Sequence, residues 1–316
     1  MQIIFVPQYP TCMRYQEWWT WKIPEEFKKL GCEVVVLGED YLGIMQSRRG
    51  SSAWFAPENI AMELETEQIR EYTRLSIKPN DVLFLADLSF PGIFTTALFH
   101  HKRPERMYAF CHATSINKGD YFKPYRTEKF MIETAFANSF DKVFVGSKYH
   151  QDKLRWKNTV VTYLPFPPFA SMVSQNKRYD IMSASRDNPQ KIDSELEAKI
   201  EQEFSKIQRP VSRSWKKYYK NLAESKILLI TAHEDTFGYQ IIDAIINGCI
   251  PIARRSLAYP EILPDEYLYS DEQELIGKID YILHNDIREV PVPKILCENE
   301  MKNFYKNLIK EMKDGI

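Results

Sequence analysis

A chain of 316 residues, 44% of them hydrophobic and 27% charged, has enough apolar surface to fold, and at about 100–200 residues per domain it implies two domains. Its 42 Lys and Arg against 43 Asp and Glu leave a net charge of -1, which excludes a global pull toward nucleic acid or an anionic membrane. Five cysteines, far apart and without a CxxC pair, support neither a disulfide framework nor a zinc knuckle.

Strands and helices alternate from the start. Ile3–Val6 reads as a strand with no basic leader before it, Gln16–Leu30 as a helix ended by Gly31, and Val34–Leu37 as a second strand. Glu65–Ser76 follows as a helix and Asp81–Ala86 as a nearly continuous apolar strand, the pattern of a parallel sheet covered on both faces. The apolar run Leu83–Phe99 is broken by Asp87, Pro91 and Gly92 and is too short to span a bilayer. No stable membrane insertion is expected, and the expected compartment is the cytoplasm. Strands at Arg106–Cys111 and Lys142–Val145 flank a helix over Thr127–Phe140.

Pro165, Pro167 and Pro168 then stop regular pairing and mark a joint. Beyond it the pattern predicts a strand at Tyr179–Met182, helices at Ser194–Phe204 and Trp215–Glu224, and a strand at Lys226–Thr231. A helix at Phe237–Asn247, a strand at Ile250–Ala253, a helix at Asp271–Leu283 and an amphipathic helix over Glu298–Lys313 complete the chain. No strand is legible between Phe204 and Trp215. The two series imply an α/β protein of two Rossmann-like, doubly wound domains facing a cleft, residues 1–164 and 165–300, with 301–316 packing back toward the first. Ligands of such folds bind beyond the carboxyl ends of the strands.

One such loop is the most informative segment. The strand Lys226–Thr231 runs into His233-Glu234-Asp235-Thr236-Phe237-Gly238, and the helix predicted from Phe237 carries Asp243 and ends at Gly248, with Pro251 shortly after. Free backbone N–H groups at the helix start suit a phosphate, and a carboxylate at Asp243 suits a ribose diol. Read singly, the acidic pair is an N-cap and Asp243 a solvated helix residue.

Together these residues resemble the donor motif of retaining glycosyltransferases of the two-Rossmann GT-B fold. Asp235 and Asp243 stand eight positions apart, Phe237-Gly238 supplies the turn and Gly248-x-x-Pro251 closes it. The family usually has glutamate at both acidic sites, so both carboxylates here are one methylene shorter. Glu234 is an alternative for the first. Ser185-Arg186-Asp187-Asn188-Pro189-Gln190-Lys191 matches the place where the family carries an Arg and a Lys that grip the donor diphosphate. Fixed cations there stabilise a leaving group that gains negative charge. His112, after the strand Arg106–Cys111, matches a histidine that touches the donor sugar across the cleft.

The resemblance implies a metal-independent enzyme of the hexosyltransferase kind, with a nucleotide-diphosphate sugar as donor substrate and no resident cofactor. His112, Asp235, Arg186 and Lys191 form the expected catalytic group. Glu234, Thr236, Phe237, Gly238 and Asp243 form the expected donor site. On the acceptor side the loop Pro7–Trp21 is an aromatic cluster with one arginine, and Arg14, Tyr15, Trp18 and Asp120 are the expected contacts. Basic clusters at Arg48-Arg49 and His100-His101-Lys102-Arg103 permit a phosphate track. Two acceptor classes follow: a glycan or metabolite, or a hydroxymethylated pyrimidine in duplex DNA, as for phage DNA-modifying members of this fold. An inverting reaction would instead need a carboxylate at Asp120 or Asp87. A non-catalytic nucleotide-sugar or nucleic-acid binding protein on the same fold is the competing reading, motivated by the two shortened carboxylates.

Overall fold

The computed structural model of the protein describes residues 2–11, 13–42, 58–88, 103–117, 126–183, 191–210, 212, 214–285, 287 and 298–313. The chain divides into two compact units. Unit one is Met1–Gly146, Gln151–Pro168 and Asn303–Ile316, and unit two is Ser147–His150 and Phe169–Lys302.

Unit one is built on six parallel strands: β1 (Gln2–Val6), β2 (Glu33–Val36), β3 (Val82–Leu85), β4 (Arg106–Cys111), β5 (Lys142–Val145) and β6 (Thr159–Val161). Their order is β2-β1-β3-β4-β5-β6. The central strands are buried on both faces, which explains their unbroken apolar sequence. Helix α1 (Tyr15–Lys29) buries Trp18, Trp19, Ile23 and Phe27, one stripe at helical spacing. Among the described residues the other helices of this half are α2 (Glu58–Arg74), α3 (Arg126–Ala137) and the short α4 (Lys148–Leu154), whose residues divide between the units after His150.

Unit two carries β7 (Tyr179–Met182), β8 (Ser225–Ile230), β9 (Ile250–Arg254) and β10 (Leu268–Tyr269), parallel and in the order β10-β9-β8-β7. Its helices are α5 (Ser194–Glu203), α6 (Trp215–Ala223), α7 (Tyr239–Ile246) and α8 (Glu272–His284). Asp193, Ser214 and Asp271 cap α5, α6 and α8 by accepting a backbone N–H three residues on. The last helix, α9 (Glu298–Lys313), belongs to unit one from Asn303 on, and there Tyr108 Oη donates to the Met312 carbonyl at 2.8 Å and Lys142 Nζ lies 2.9 Å from Glu311. Donors at a helix C-terminus satisfy carbonyls that the helix leaves unpaired.

The strand that the sequence did not reveal between Phe204 and Trp215 is a single bridge. Gln208 N donates to the Ile181 carbonyl and Ser183 N to the Gln208 carbonyl, both at 2.9 Å, so Gln208 lies on the free edge of β7. One residue of pairing, with Pro210 close behind, leaves no periodic signal. With it, both sheets reverse their strand order beside their first strand, between β1 and β3 and between β7 and β8. Ligand sites of open α/β sheets lie outside the carboxyl ends at such reversals.

Candidate functional site

In unit two the loop after β8 begins at Thr231, and α7 starts at Tyr239, two residues later than the sequence placed it. Asp235 causes the delay. Its Oδ1 accepts the N–H of Phe237 at 3.2 Å and of Gly238 at 2.9 Å, a side-chain turn that competes with helix. Gly238 sits at φ +83, where a Cβ would also meet the Tyr259 ring at 3.3 Å, so glycine is favoured. The expectation of free amides at Phe237 and Gly238 is therefore corrected: the Asp235 carboxylate occupies both.

The second oxygen of Asp235 faces Lys191. Lys191 Nζ donates to the Glu234 carbonyl at 2.6 Å and lies 3.4 Å from Asp235 Oδ2, which Tyr259 Oη also approaches at 3.4 Å. The structure thus brings the predicted Lys191, Glu234 and Asp235 together across 43 and 44 residues of sequence. The Thr236 carbonyl accepts Ser147 Oγ at 2.6 Å. Burial and the charges of Glu234 and Asp235 push the neighbouring Tyr149 hydroxyl up to about 12. Glu261 accepts the N–H groups of Lys148 and Tyr149, both at 2.7 Å, which fixes this segment. Arg186 lies outside the described residues.

Asp243 is 5% exposed, in the second turn of α7. It is not a solvated helix residue. Its Oδ1 accepts Tyr219 Oη at 2.8 Å and its Oδ2 accepts Tyr218 Oη at 3.2 Å. Burial raises its carboxyl to about 7, and the two phenol hydrogen bonds pull the other way. Sequence reasoning missed these tyrosines because α6 approaches Asp243 only through the fold. It also missed Arg254, at the end of β9, whose guanidinium donates to the Thr231 carbonyl at 3.3 Å and pairs with Asp193. His233 Nε2 lies 3.6 Å from the same Asp193 carboxylate.

Unit one gathers a second group at the carboxyl ends of β1, β3 and β4. Tyr15 Oη donates to Asp87 Oδ2 at 3.0 Å, and His112 N approaches Asp87 Oδ1 at 3.4 Å. The Tyr15 and His112 rings lie 3.9 Å apart between centroids. Behind His112 the loop is anchored: Ser115 donates its N–H and hydroxyl to the buried Glu133 carboxylate at 3.0 and 2.7 Å, and Asn117 Oδ1 accepts Thr114 N at 2.9 Å. Arg14 closes the loop before α1, and burial lowers its guanidinium below the ordinary value.

Trp18 is corrected. The expected aromatic loop is helical from Tyr15 onward, which turns Trp18 inward against Trp19, and it is 1% exposed. Trp21, 44% exposed, is the member of the cluster that faces solvent. Asp120, Arg48, Arg49, His100, His101 and Lys102 lie outside the described residues. Among the described residues, no group of three or more His, Cys, Asp or Glu is placed to hold a metal ion. No helix among them is long and apolar enough to cross a membrane.

Two parallel sheets, each reversing its strand order beside its first strand, are the architecture of the GT-B fold. The solved structures agree. Sucrose-phosphate synthase from Thermosynechococcus elongatus is similar over all of both chains, with a TM-score of 0.69 at 12% identity. TarM of S. aureus, in a complex with fondaparinux, alpha-GlcNAc-glycerol and UDP, matches 78% of this chain and 56% of its own, with a TM-score of 0.52 at 15% identity. A 62-residue stretch is 40% identical to the tRNA-queuosine alpha-mannosyltransferase of Drosophila melanogaster, 20% of this chain and 16% of the fly protein. The match therefore spans about a sixth of that relative. No protein-family model matches the chain.

Proposed function

We propose that the protein transfers a sugar from a nucleotide-diphosphate donor to a hydroxyl of a modified nucleoside in RNA, with retention of configuration. The observation that carries the reading is the Lys191–Glu234–Asp235 group at the β7/β8 reversal. It fixes a cation at a strand end, which suits a diphosphate leaving group, beside an acidic turn that suits the hydroxyls of a sugar. The UDP in the TarM complex supports a uridine-diphosphate donor.

In this reading Lys191, with Arg186, takes the diphosphate. Asp235 keeps the Phe237-Gly238 turn in shape, and Glu234 with Thr236 faces the transferred sugar. Asp243, together with Tyr218, takes the ribose diol. The acceptor belongs to unit one, with Arg14, Tyr15, Asp120 and His112 as its contacts. Attack occurs on the face that the diphosphate leaves, and a leaving phosphate oxygen takes the acceptor proton, so the chain needs no base of its own and no metal. The stretch shared with the fly tRNA-queuosine enzyme favours a nucleoside acceptor over a glycan.

The test is a thermal-shift panel of UDP-, GDP-, ADP- and TDP-sugars, because a ligand of the folded state raises Tm by mass action. The stabilising donor is then supplied with labelled sugar to total tRNA, hydroxymethylated duplex DNA and oligosaccharides. Label in tRNA supports the reading. Label only in DNA or only in oligosaccharide overturns its acceptor, and binding with no transfer to any acceptor leaves a nucleotide-sugar binding protein.

A further inference from the structure

Asp243 is buried, whereas Tyr218, which donates to its Oδ2 at 3.2 Å, is half-buried. Its Oδ1 accepts the hydroxyl of Tyr219 at 2.8 Å, and Tyr219 lies in the core. Two phenols thus meet one carboxylate, and of the three side chains Tyr218 is the one that keeps a solvent-facing part. Only Glu224 separates the end of α6 from the start of β8, so the first turn of α6, with Tyr218, lies toward the carboxyl end of that strand. Asp243 stands in the second turn of α7, the helix that leaves β8 on the same side. The pair therefore belongs to the ligand-binding end of the sheet, next to the β7/β8 reversal.

The phenol is fixed along its whole length. Asp243 holds its hydroxyl, and its ring packs against Trp215 at 6.0 Å and Tyr219 at 5.7 Å between centroids. Trp215 is in turn stacked on Phe169 at 4.9 Å. A phenol that gives its proton to a carboxylate keeps the lone pairs of its oxygen for an incoming donor, and the carboxylate polarises it into a stronger acceptor. The hydroxyls of a ribose diol are such donors. We propose that the Tyr218 hydroxyl is the member of this pair that touches the ribose diol of the donor, and that Asp243 is a positioning residue acting through it. The inference rests on the assignment of the donor to unit two.

Isothermal titration calorimetry of the full chain with UDP, GDP and ADP, each beside its 2′-deoxy and 3′-deoxy counterparts, tests this without acceptor or turnover. At least one ribonucleotide binds about tenfold more tightly than one of its deoxy counterparts, the worth of one hydrogen bond to a polarised group. Tyr218→Phe removes only the hydroxyl. It lowers affinity for the ribonucleotide to that for the deoxy form, which it binds as the wild type does. Asp243→Asn reduces the preference when made alone and has no further effect on it in Tyr218→Phe, the non-additivity of a residue that acts through another. Three results overturn the proposal: a ribose preference that survives in Tyr218→Phe, an Asp243→Asn effect equally large in that background, or a wild type that binds the deoxy forms equally well. Each leaves the donor on unit two. If no nucleotide binds, the donor assignment fails together with the inference, and a ribose preference without transfer to any acceptor defeats only the transferase reading.

Discussion

After β8, Asp235 satisfies two amides within three residues of itself and receives Lys191 on its other oxygen. After β1, the Gln8 amide and the Trp19 indole N–H are buried without a hydrogen-bond partner among the described residues. The same sheet geometry thus ends in one loop that is complete without a ligand and another that is incomplete. A completed loop holds charges at fixed positions, which suits stabilising a transition state. An incomplete one leaves buried polar atoms that lower the stability of the folded state.

The largest effect expected of this contrast is on Lys191. Lys191→Ala should cut transfer about 10²–10³-fold, the range for removing one electrostatic stabiliser, while Tm barely moves. Steady-state kinetics beside a thermal melt checks it, and unchanged turnover would remove Lys191 from the donor site. Asp243 gives the next effect. Its carboxyl, raised to about 7, binds a proton in the folded state that the unfolded chain has released above its ordinary value of 3.8. Stability from this group is therefore full below about pH 4 and is lost as pH rises through about 7, on the order of 2–3 kcal/mol between pH 5 and pH 8. Asp243→Asn should flatten that stretch of the Tm–pH curve, and an equally sloped variant would place the slope elsewhere.

Asp235→Ala leaves the Phe237 and Gly238 amides without their acceptor and Lys191 without its carboxylate, at a cost of about 1–3 kcal/mol. Urea unfolding measures it, and a neutral result would mean that the turn is held by its neighbours. Gly238→Ala has the smallest effect, about 1–2 kcal/mol for a left-handed backbone that must now carry a Cβ. A Tm equal to wild type would show that the turn relaxes.

Much of the fold was legible because buried parallel strands write long apolar runs, and glycines and prolines mark their ends. The loop after β8 was legible for a related reason: Asp235, Phe237, Gly238 and Asp243 are neighbours in sequence, and their spacing is their geometry. The helix start was misplaced by two residues because Asp235 takes amides that spacing alone leaves free. Trp18 was misread because the chain turns helical at Tyr15, which sends that ring into the core. The groups that only the fold assembles left no local pattern. Tyr15, Asp87 and His112 meet across 72 and 25 residues, and Tyr218 and Tyr219 reach Asp243 from another helix.

NMR of the product's anomeric centre decides the proposed retaining transfer from a nucleotide sugar held on unit two. An α-linked donor should yield an α-linked product on wild type, and Lys191→Ala should yield little of it. An inverted product, or a donor that binds and is never transferred, would contradict it.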